Sequence, residues 1–459
     1  MDYNEFLQQK IKRAKSIGFQ PGALSPLLYD FQRDIVARAC EVGRYAIFAD
    51  CGMGKTAMQL AWADQITKQT GGSVLIVAPL AVAPQTVREG EKFGIRVVQR
   101  REQSGHVEPV EITNYEMIEK FDPARYIGVV LDESSILKSF MGKTKRMISN
   151  MFSSTRYRLA CTATPSPNNL MELLNHADFL GIMRSSEALA EWFIADQSQS
   201  GTYRLKGHAA RDFWQWVSTW AAALTKPSDF GDYSDAEFVL PELIERDVVV
   251  NVDITEGATE TLFRDVSMSA TGFHAEKVRT LRARCEKTAE IARNASGQCV
   301  VWCYRNDEAD ELRSLLPDAV EVRGNDSIDA KERAILDFVD GKTKILISKP
   351  SMFGFGLNLQ NCHECVFCGM DYSYEGYYQA IRRFYRFGQH HDVTVWRVLG
   401  ETELNILSTI GTKAAMHKEM TESIASAMLN PQKHKNKFVI RGRTTDINRP
   451  EWMVTVGNE

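Results

Sequence analysis

Three stretches carry residues whose types and spacing suit phosphate chemistry. The first, ADCGMGKTAMQL at 49–60, follows a strand-like apolar run and opens an amphipathic one. There Gly52 and Gly54, with Met53 between them, permit a tight turn whose backbone N–H groups surround a phosphate. Lys55 would pair with the outer phosphate oxygens, and the Thr56 hydroxyl would hold a magnesium ion. The second, IGVVLDESS at 127–135, ends an apolar strand on Asp132 and Glu133, at the edge where open α/β sheets bind ligands. Asp132 suits the magnesium ion, and Glu133 suits orienting or deprotonating an attacking water. Such an acidic pair is common by itself; together with the loop at 49–56 it is a strong signal.

The third stretch, QAIRRFYRFGQHH at 379–391, crowds three arginines and two histidines among aromatics. A helix over 377–388 sets Gln379, Arg383 and Arg386 at offsets of 0, 4 and 7, on one face, with Arg382 and Tyr385 pointing elsewhere. A generic basic patch needs no such selection, whereas arginine fingers entering a phosphate site from a second lobe do. Arg382 is expected in a salt bridge or at the surface, and His390 and His391 in an exposed loop.

These residues need a frame to hold them. From about residue 44 short apolar runs alternate with amphipathic stretches, and the pattern returns near 299, which predicts two α/β lobes with parallel sheets and covering helices. The expected division is an N-terminal segment at 1–20, a first lobe at 21–180, a helical, tryptophan-rich insert at 181–245, a second lobe at 246–430 and a basic polar tail at 431–459. A linker is expected near 241–255. Composition agrees with this plan. The chain has 459 residues, 44% hydrophobic and 25% charged, which exceeds one core and excludes a disordered or fibrous class. No apolar run approaches the ~20 residues of a membrane span, and MDYNEFLQQKIKRAKS has no signal-peptide core. Nine scattered cysteines fit reduced thiols and a cytoplasmic setting, bacterial or in a phage-infected cell. A net charge of −4 leaves room for one basic face.

Over roughly 25–415 the sequence resembles superfamily-2 helicase-type motors, and within them the Swi/Snf group of double-stranded-DNA translocases. The A-x-x-G-x-G-K-T form at 49–56 is the usual one there. LLYDFQRDIV at 27–36 is similar to the family's glutamine motif, which implies that Gln32 reads an adenine edge. VAPLAVAPQ at 77–85 is similar to a segment facing nucleic acid, which brings in Pro79. DESSILKS at 132–139 resembles the acidic box with its following lysine, Lys138, although relatives read DEAH or DEGH where this chain has DESS. LACTATPSPNNLMELLNHADFL at 159–180 carries the coupling motif, with Thr162, Ala163 and Thr164. FGFGLNL at 353–359 resembles G-x-G-x-N-L, implying nucleic-acid contacts at Gly354 and Asn358, and 379–389 resembles Q-A-x-x-R-x-x-R-x-G-Q.

The resemblance implies two tandem RecA-like lobes with ATP and Mg2+ between them, and a DNA-dependent ATPase that translocates along duplex or forked DNA with little sequence preference. Its compactness resembles motors encoded by bacteriophages and prophages. A monomer is favoured, with a replication or recombination protein as a further partner. An RNA-directed helicase and an ATP-gated interaction switch stand as alternatives.

Weaker signals carry less. Cys362, His363, Cys365 and Cys368 lie close together, yet no second ligand pair completes a zinc site, and ECVFC reads as a buried strand. Phe213, Trp216, Val217, Trp220 and Leu224 recur at helical spacing as a core-facing stripe, leaving Trp214 as a candidate contact. Basic clusters at 9–15, 278–287 and 432–443 read as solvated faces, the last also as an auxiliary DNA contact.

Overall fold

The computed structural model describes residues 15–80, 82–139, 142–195, 202–250, 277–355 and 359–430. The two runs of alternating pattern form two parallel sheets covered by helices. The first sheet contains β1 (Arg44–Ala49), β2 (Val74–Ala78), β3 (Val97–Gln99), β4 (Val110–Asn114), β5 (Gly128–Asp132) and β6 (Tyr157–Cys161). A small antiparallel ribbon, β7 (Phe193–Ala195) with β8 (Tyr203–Leu205), precedes its last strand, β9 (Ala221–Leu224). The order is β3-β4-β2-β5-β6-β1-β9, so β6 lies between β1 and β5. The carboxyl ends of these three strands therefore sit side by side, with Asp132 paired in register to Cys161.

Among the described residues, seven helices accompany this sheet: α1 (Asp30–Val42), α2 (Lys55–Thr70), α3 (Ala83–Lys92), α4 (Lys143–Met151), α5 (Glu172–Leu180), α6 (Ser185–Trp192) and α7 (Ala210–Ser218). Alternation along the strands divides the core between the two sheet faces. Ile47, Ile76 and Val130 pack with Phe31, Ile35, Met58 and Trp62 of α1 and α2. Phe48, Leu75 and Leu131 pack with Phe152, Leu173, Phe213 and Trp216 on the other side.

The second sheet has the order β10-β15-β14-β11-β13-β12. Its strands are β10 (Leu243–Val250), β11 (Cys299–Cys303), β12 (Val320–Val322), β13 (Ile345–Ser348), β14 (Glu364–Cys368) and β15 (Val393–Gly400). With it go α8 (Leu281–Asn294), α9 (Asn306–Leu315), α10 (Ile328–Val339), α11 (Tyr374–Ile381) and the 26-residue α12 (Leu404–Leu429). Helix α12 joins the lobes: Ile406 and Ile410 lie in the core of the second, while Met420 and Ile424 lie in the core of the first.

The insert carries the expected helices, α6 and α7, but it also supplies strands. Helix α7 ends at Ser218, so Phe213, Trp216 and Val217 form the buried stripe while Trp220 and Leu224 are buried in the turn and strand that follow. The buried alanines at 221–223 lie in β9, which pairs in parallel with β1. The expected linker likewise contains β10, paired in parallel with β15 over eight residues. Strand β4 was hidden by its polar letters, VEITN. Its fully buried Glu111 accepts hydrogen bonds from the Tyr126 hydroxyl at 2.5 Å and the Glu108 N–H at 3.1 Å, with Arg100 beside it.

Candidate active site

The loop after β1 is shaped by two glycines in the left-handed region, Gly52 at φ 92° and Gly54 at φ 81°. Neither has room for a side chain. A Cβ on Gly52 would lie 2.8 Å from the backbone nitrogen of Phe387 in the second lobe, and one on Gly54 would lie 2.2 Å from Gln32 Nε2. Gln32 is used locally, donating from Nε2 to the Met53 carbonyl at 3.0 Å and accepting from the Tyr29 N–H at 3.0 Å. Helix α2 begins at Lys55, so its unpaired N–H groups and positive dipole end face the cleft. The Lys55 ammonium turns back to the Ala49 carbonyl at 2.9 Å. Burial works to lower its pKa, but Cys51, Glu133, Asp50 and Asp132 around it leave it raised.

Asp132 closes β5 and is held by donation from Gln59 Nε2 at 2.6 Å, one turn along α2 from Lys55. The other amide atom, Gln59 Oε1, is buried with no hydrogen-bond partner among the described residues. Glu133 adopts φ 51°, ψ 53°, the one non-glycine residue at positive φ among those described. Strain of about 1–3 kcal/mol persists only where the surroundings impose it. Here the twist brings Glu133 Oε2 to 3.3 Å from the Thr162 hydroxyl, which donates to it. Thr162 Oγ1 in turn accepts the Thr164 N–H at 3.1 Å. Burial raises the carboxyls of both Asp132 and Glu133, and Lys55 opposes the rise.

The DESS turn is gripped from α5. Asn175 Nδ2 donates to the Leu137 carbonyl at 2.8 Å, and His176 Nε2 lies 3.1 Å from the Ser134 hydroxyl. Burial lowers the His176 pKa to about 4, which keeps the ring neutral at ordinary pH.

The second lobe faces this edge. Gln379, Arg382, Arg383 and Arg386 line a cleft of about 680 Å³ together with Gly52, Gly54, Lys55, Thr56, Asp132 and Glu133. The selection expected of a longer helix is reached differently: α11 ends at Ile381, and 382–389 continues in turns. Gln389 fixes those turns, donating from Nε2 to the carbonyls of Gln360, Cys362 and Phe384 and accepting the N–H groups of His390 and His391. Arg382 also enters the cleft, contrary to the helical-wheel expectation, and there makes the kind of salt bridge expected of it, with Asp50 at 2.5 Å. Burial lowers the Arg383 pKa, while Cys51 and Glu133 beside it work to raise it.

The segments expected to face nucleic acid divide. Pro79 and Lys138 line the same cleft, and Lys138 pairs across the lobes with Glu375 at 2.5 Å. Gly354 lies in the 3-10 turn Pro350–Phe355. Asn358, the cluster at 9–15 apart from Lys15, and the tail at 432–443 lie outside the described residues. Ala163, like both threonines, is buried. Cys362, Cys365 and Cys368 are buried along β14 and its approach, and among the described residues no group of three or more His, Cys, Asp or Glu side chains is arranged to hold a metal. Trp214 is half-buried against Phe213. The sequence did not single out Gln59, Asn175, His176, Glu375 or Tyr115, whose hydroxyl donates to the Asp132 carbonyl at 2.6 Å. Only Gln59 had a legible signal, its i+4 spacing from Lys55.

Residues 277–388 match the helicase conserved C-terminal domain family. The ISWI chromatin-remodeling complex ATPase CHR11 of Arabidopsis thaliana is 29% identical over 205 residues, 38% of this chain and 19% of that protein. The chain thus spans about a fifth of the length of the chromatin-remodelling relatives it matches. Protein p41 of Acyrthosiphon pisum secondary endosymbiont phage 1 is 25% identical over 419 residues, 77% of this chain and 87% of that one. The solved Sulfolobus solfataricus SWI2/SNF2 ATPase core in complex with dsDNA aligns at TM-score 0.42 and 16% identity, over 90% of this chain and 97% of that one. The chain thus carries, at 277–388, a match to the helicase conserved C-terminal domain, and over about two fifths of its length it is similar to chromatin-remodelling ATPases.

Proposed function

We propose that this chain is an ATP-driven motor that translocates along DNA, displacing bound proteins or remodelling the duplex. One observation carries the reading. A single cleft gathers Lys55, Thr56, Asp132 and Glu133 from one lobe and Gln379, Arg383 and Arg386 from the other. The donor set fits a nucleoside triphosphate and magnesium: a helix N-terminus and three cations for phosphate, a hydroxyl and a carboxylate for a hard cation. Thr56 and Asp132 would hold the magnesium ion, which neutralises phosphate charge when bound.

Glu133 Oε2 takes the proton of a water as its oxygen bonds to the γ-phosphorus and the bond to the β-phosphate oxygen breaks. A raised carboxyl suits that task. Arg383 and Arg386 stabilise the charge gathering on the transferred group. The Thr162 hydroxyl donates to the same Glu133 oxygen, so proton uptake there is felt by Thr162, Ala163 and Thr164. We assign this segment to coupling, and Pro79, Lys138, Gly354 and Asn358 to the path by which DNA is sensed. The similarity to p41 over most of both chains supports a compact phage-type motor, working in a bacterial or phage-infected cytoplasm.

The test compares ATP turnover and ATP binding in wild type and Glu133→Gln. A motor loses turnover by about 10²–10⁴-fold and keeps binding. Turnover surviving in the variant removes Glu133 from its role. A DNA-dependent function surviving without turnover replaces the motor by a nucleotide-gated switch.

A further inference from the structure

Arg382 is left over by the reading above, yet it is among the most enclosed cations of the cleft. Its guanidinium pairs with Asp50 at 2.5 Å, with side chains 15% and 6% exposed. It lies 5.1 Å from the ring centre of Tyr378 and 5.0 Å from that of Tyr385. Asp50 belongs to the phosphate loop of the first lobe, and all the other groups belong to the second. The Tyr378 hydroxyl also donates to Asp50 Oδ1. The acid is anchored on its own side, since its N–H donates to the Leu224 carbonyl of β9 at 2.9 Å and its Oδ1 accepts the Cys51 N–H at 2.6 Å. One carboxylate therefore fixes the start of the phosphate loop and the second lobe together. From behind, His417 of α12 packs at 5.5 Å from the Tyr378 ring.

From this geometry we infer that Arg382 is a positioning residue rather than a third finger: the Asp50–Arg382 pair, with Tyr378, is a latch that holds the phosphate loop and the second lobe in the arrangement that receives nucleotide. The inference rests on the ATPase reading. A charge committed to Asp50 is not spent on phosphate. Its neighbour Arg383, one residue along, lines the same cleft as Glu133 and keeps the phosphate role proposed above. Removing either partner leaves a buried charge unmatched, and the receptive arrangement becomes a minor state. Apparent affinity then falls by the fraction that remains competent, while bound complexes react as before.

The experiment is a double-mutant cycle on the full chain with Asp50→Asn, Arg382→Gln and the pair combined, plus Tyr378→Phe. ATP KM and kcat are measured, along with small-angle scattering of the protein without nucleotide and thermal melting as a check on folding. Each single variant is expected to raise KM about tenfold with kcat changed less than about threefold, and the double variant to match the worse single rather than their product. Tyr378→Phe shifts KM in the same direction by less. Scattering is expected to report a larger radius for the single variants than for wild type. Multiplicative losses in the double variant, a fall in kcat at constant KM, or unchanged scattering in folded single variants each overturn the latch. A wild-type protein that hydrolyses no ATP overturns the function proposed above instead, and the scattering comparison still decides the latch.

Discussion

At the residue scale, the cleft depends on positions where only one kind of residue fits. Gly52 combines φ 92° with a Cβ position 2.8 Å from the Phe387 backbone nitrogen. Gly52→Ala is expected to lose about 1–2 kcal/mol from left-handed strain alone, besides pushing the second lobe off the loop. Chemical denaturation and an ATP titration read the two effects, and a variant unchanged in both would mean the contact with Phe387 is dispensable. Arg386→Ala, with no other assigned duty, should reduce turnover by about 10³-fold or more while leaving ATP binding within a few-fold. Residues of this kind were legible because their chemistry is local: glycines, a lysine and a threonine in a loop, or two carboxylates at a strand end. Gln389 was not. Nothing in its letter or spacing says that one amide would serve five backbone groups, since that depends on how 360–362 folds beside it.

At the scale of elements, the strands with uninterrupted apolar letters were legible, and those with polar or small letters were not. VEITN folds as a fully buried strand because Tyr126 and Arg100 satisfy Glu111, partners 15 and 11 residues away in sequence. AAAL is a strand through its parallel pairing with β1, a tertiary contact that a helical wheel cannot register. Helix α5 reaches across to the acidic turn through Asn175 and His176, and this contact carries a pH signature. His176 has a folded pKa of about 4 against an ordinary 6.5, a depression caused by burial. The unfolded chain binds the proton more readily, so the stabilisation present above pH ~6.5 is lost as pH falls toward ~4. His417 acts in the same sense and the buried Asp132 and Glu133 in the opposite one, so the informative quantity is a difference between proteins. His176→Asn should melt with less loss between pH 7 and pH 4.5 than wild type does. An identical loss in both would show that the ring does not titrate with unfolding.

At the scale of the whole molecule, the lobes are tied by contacts that no single motif announces. Lys138 meets Glu375, Arg382 meets Asp50, and Lys413 Nζ donates to Asn168 Oδ1 at 3.0 Å. Helix α12 adds Met420 and Ile424 to the first lobe's core although it starts in the second. Ile424→Ala is expected to cost about 2–5 kcal/mol, typical of a buried aliphatic truncation, and to loosen the lobes as well as unfold them sooner. A cost under about 0.5 kcal/mol by denaturant titration would mean α12 is not anchored there. The two-lobe plan was legible from the repeated pattern, whereas the strap was not, because α12 gives no sign in its own sequence of which core each half enters.

The central claim is that this cleft works as a DNA-driven motor, and steady-state ATP hydrolysis tests it most directly. Wild type, Lys55→Ala and Arg386→Ala would be measured alone and with single-stranded DNA, duplex DNA, forked DNA and RNA. Strong stimulation of wild type by duplex or forked DNA, lost in both variants, is the expected result. Stimulation by RNA alone, or full activity in Arg386→Ala, would contradict it.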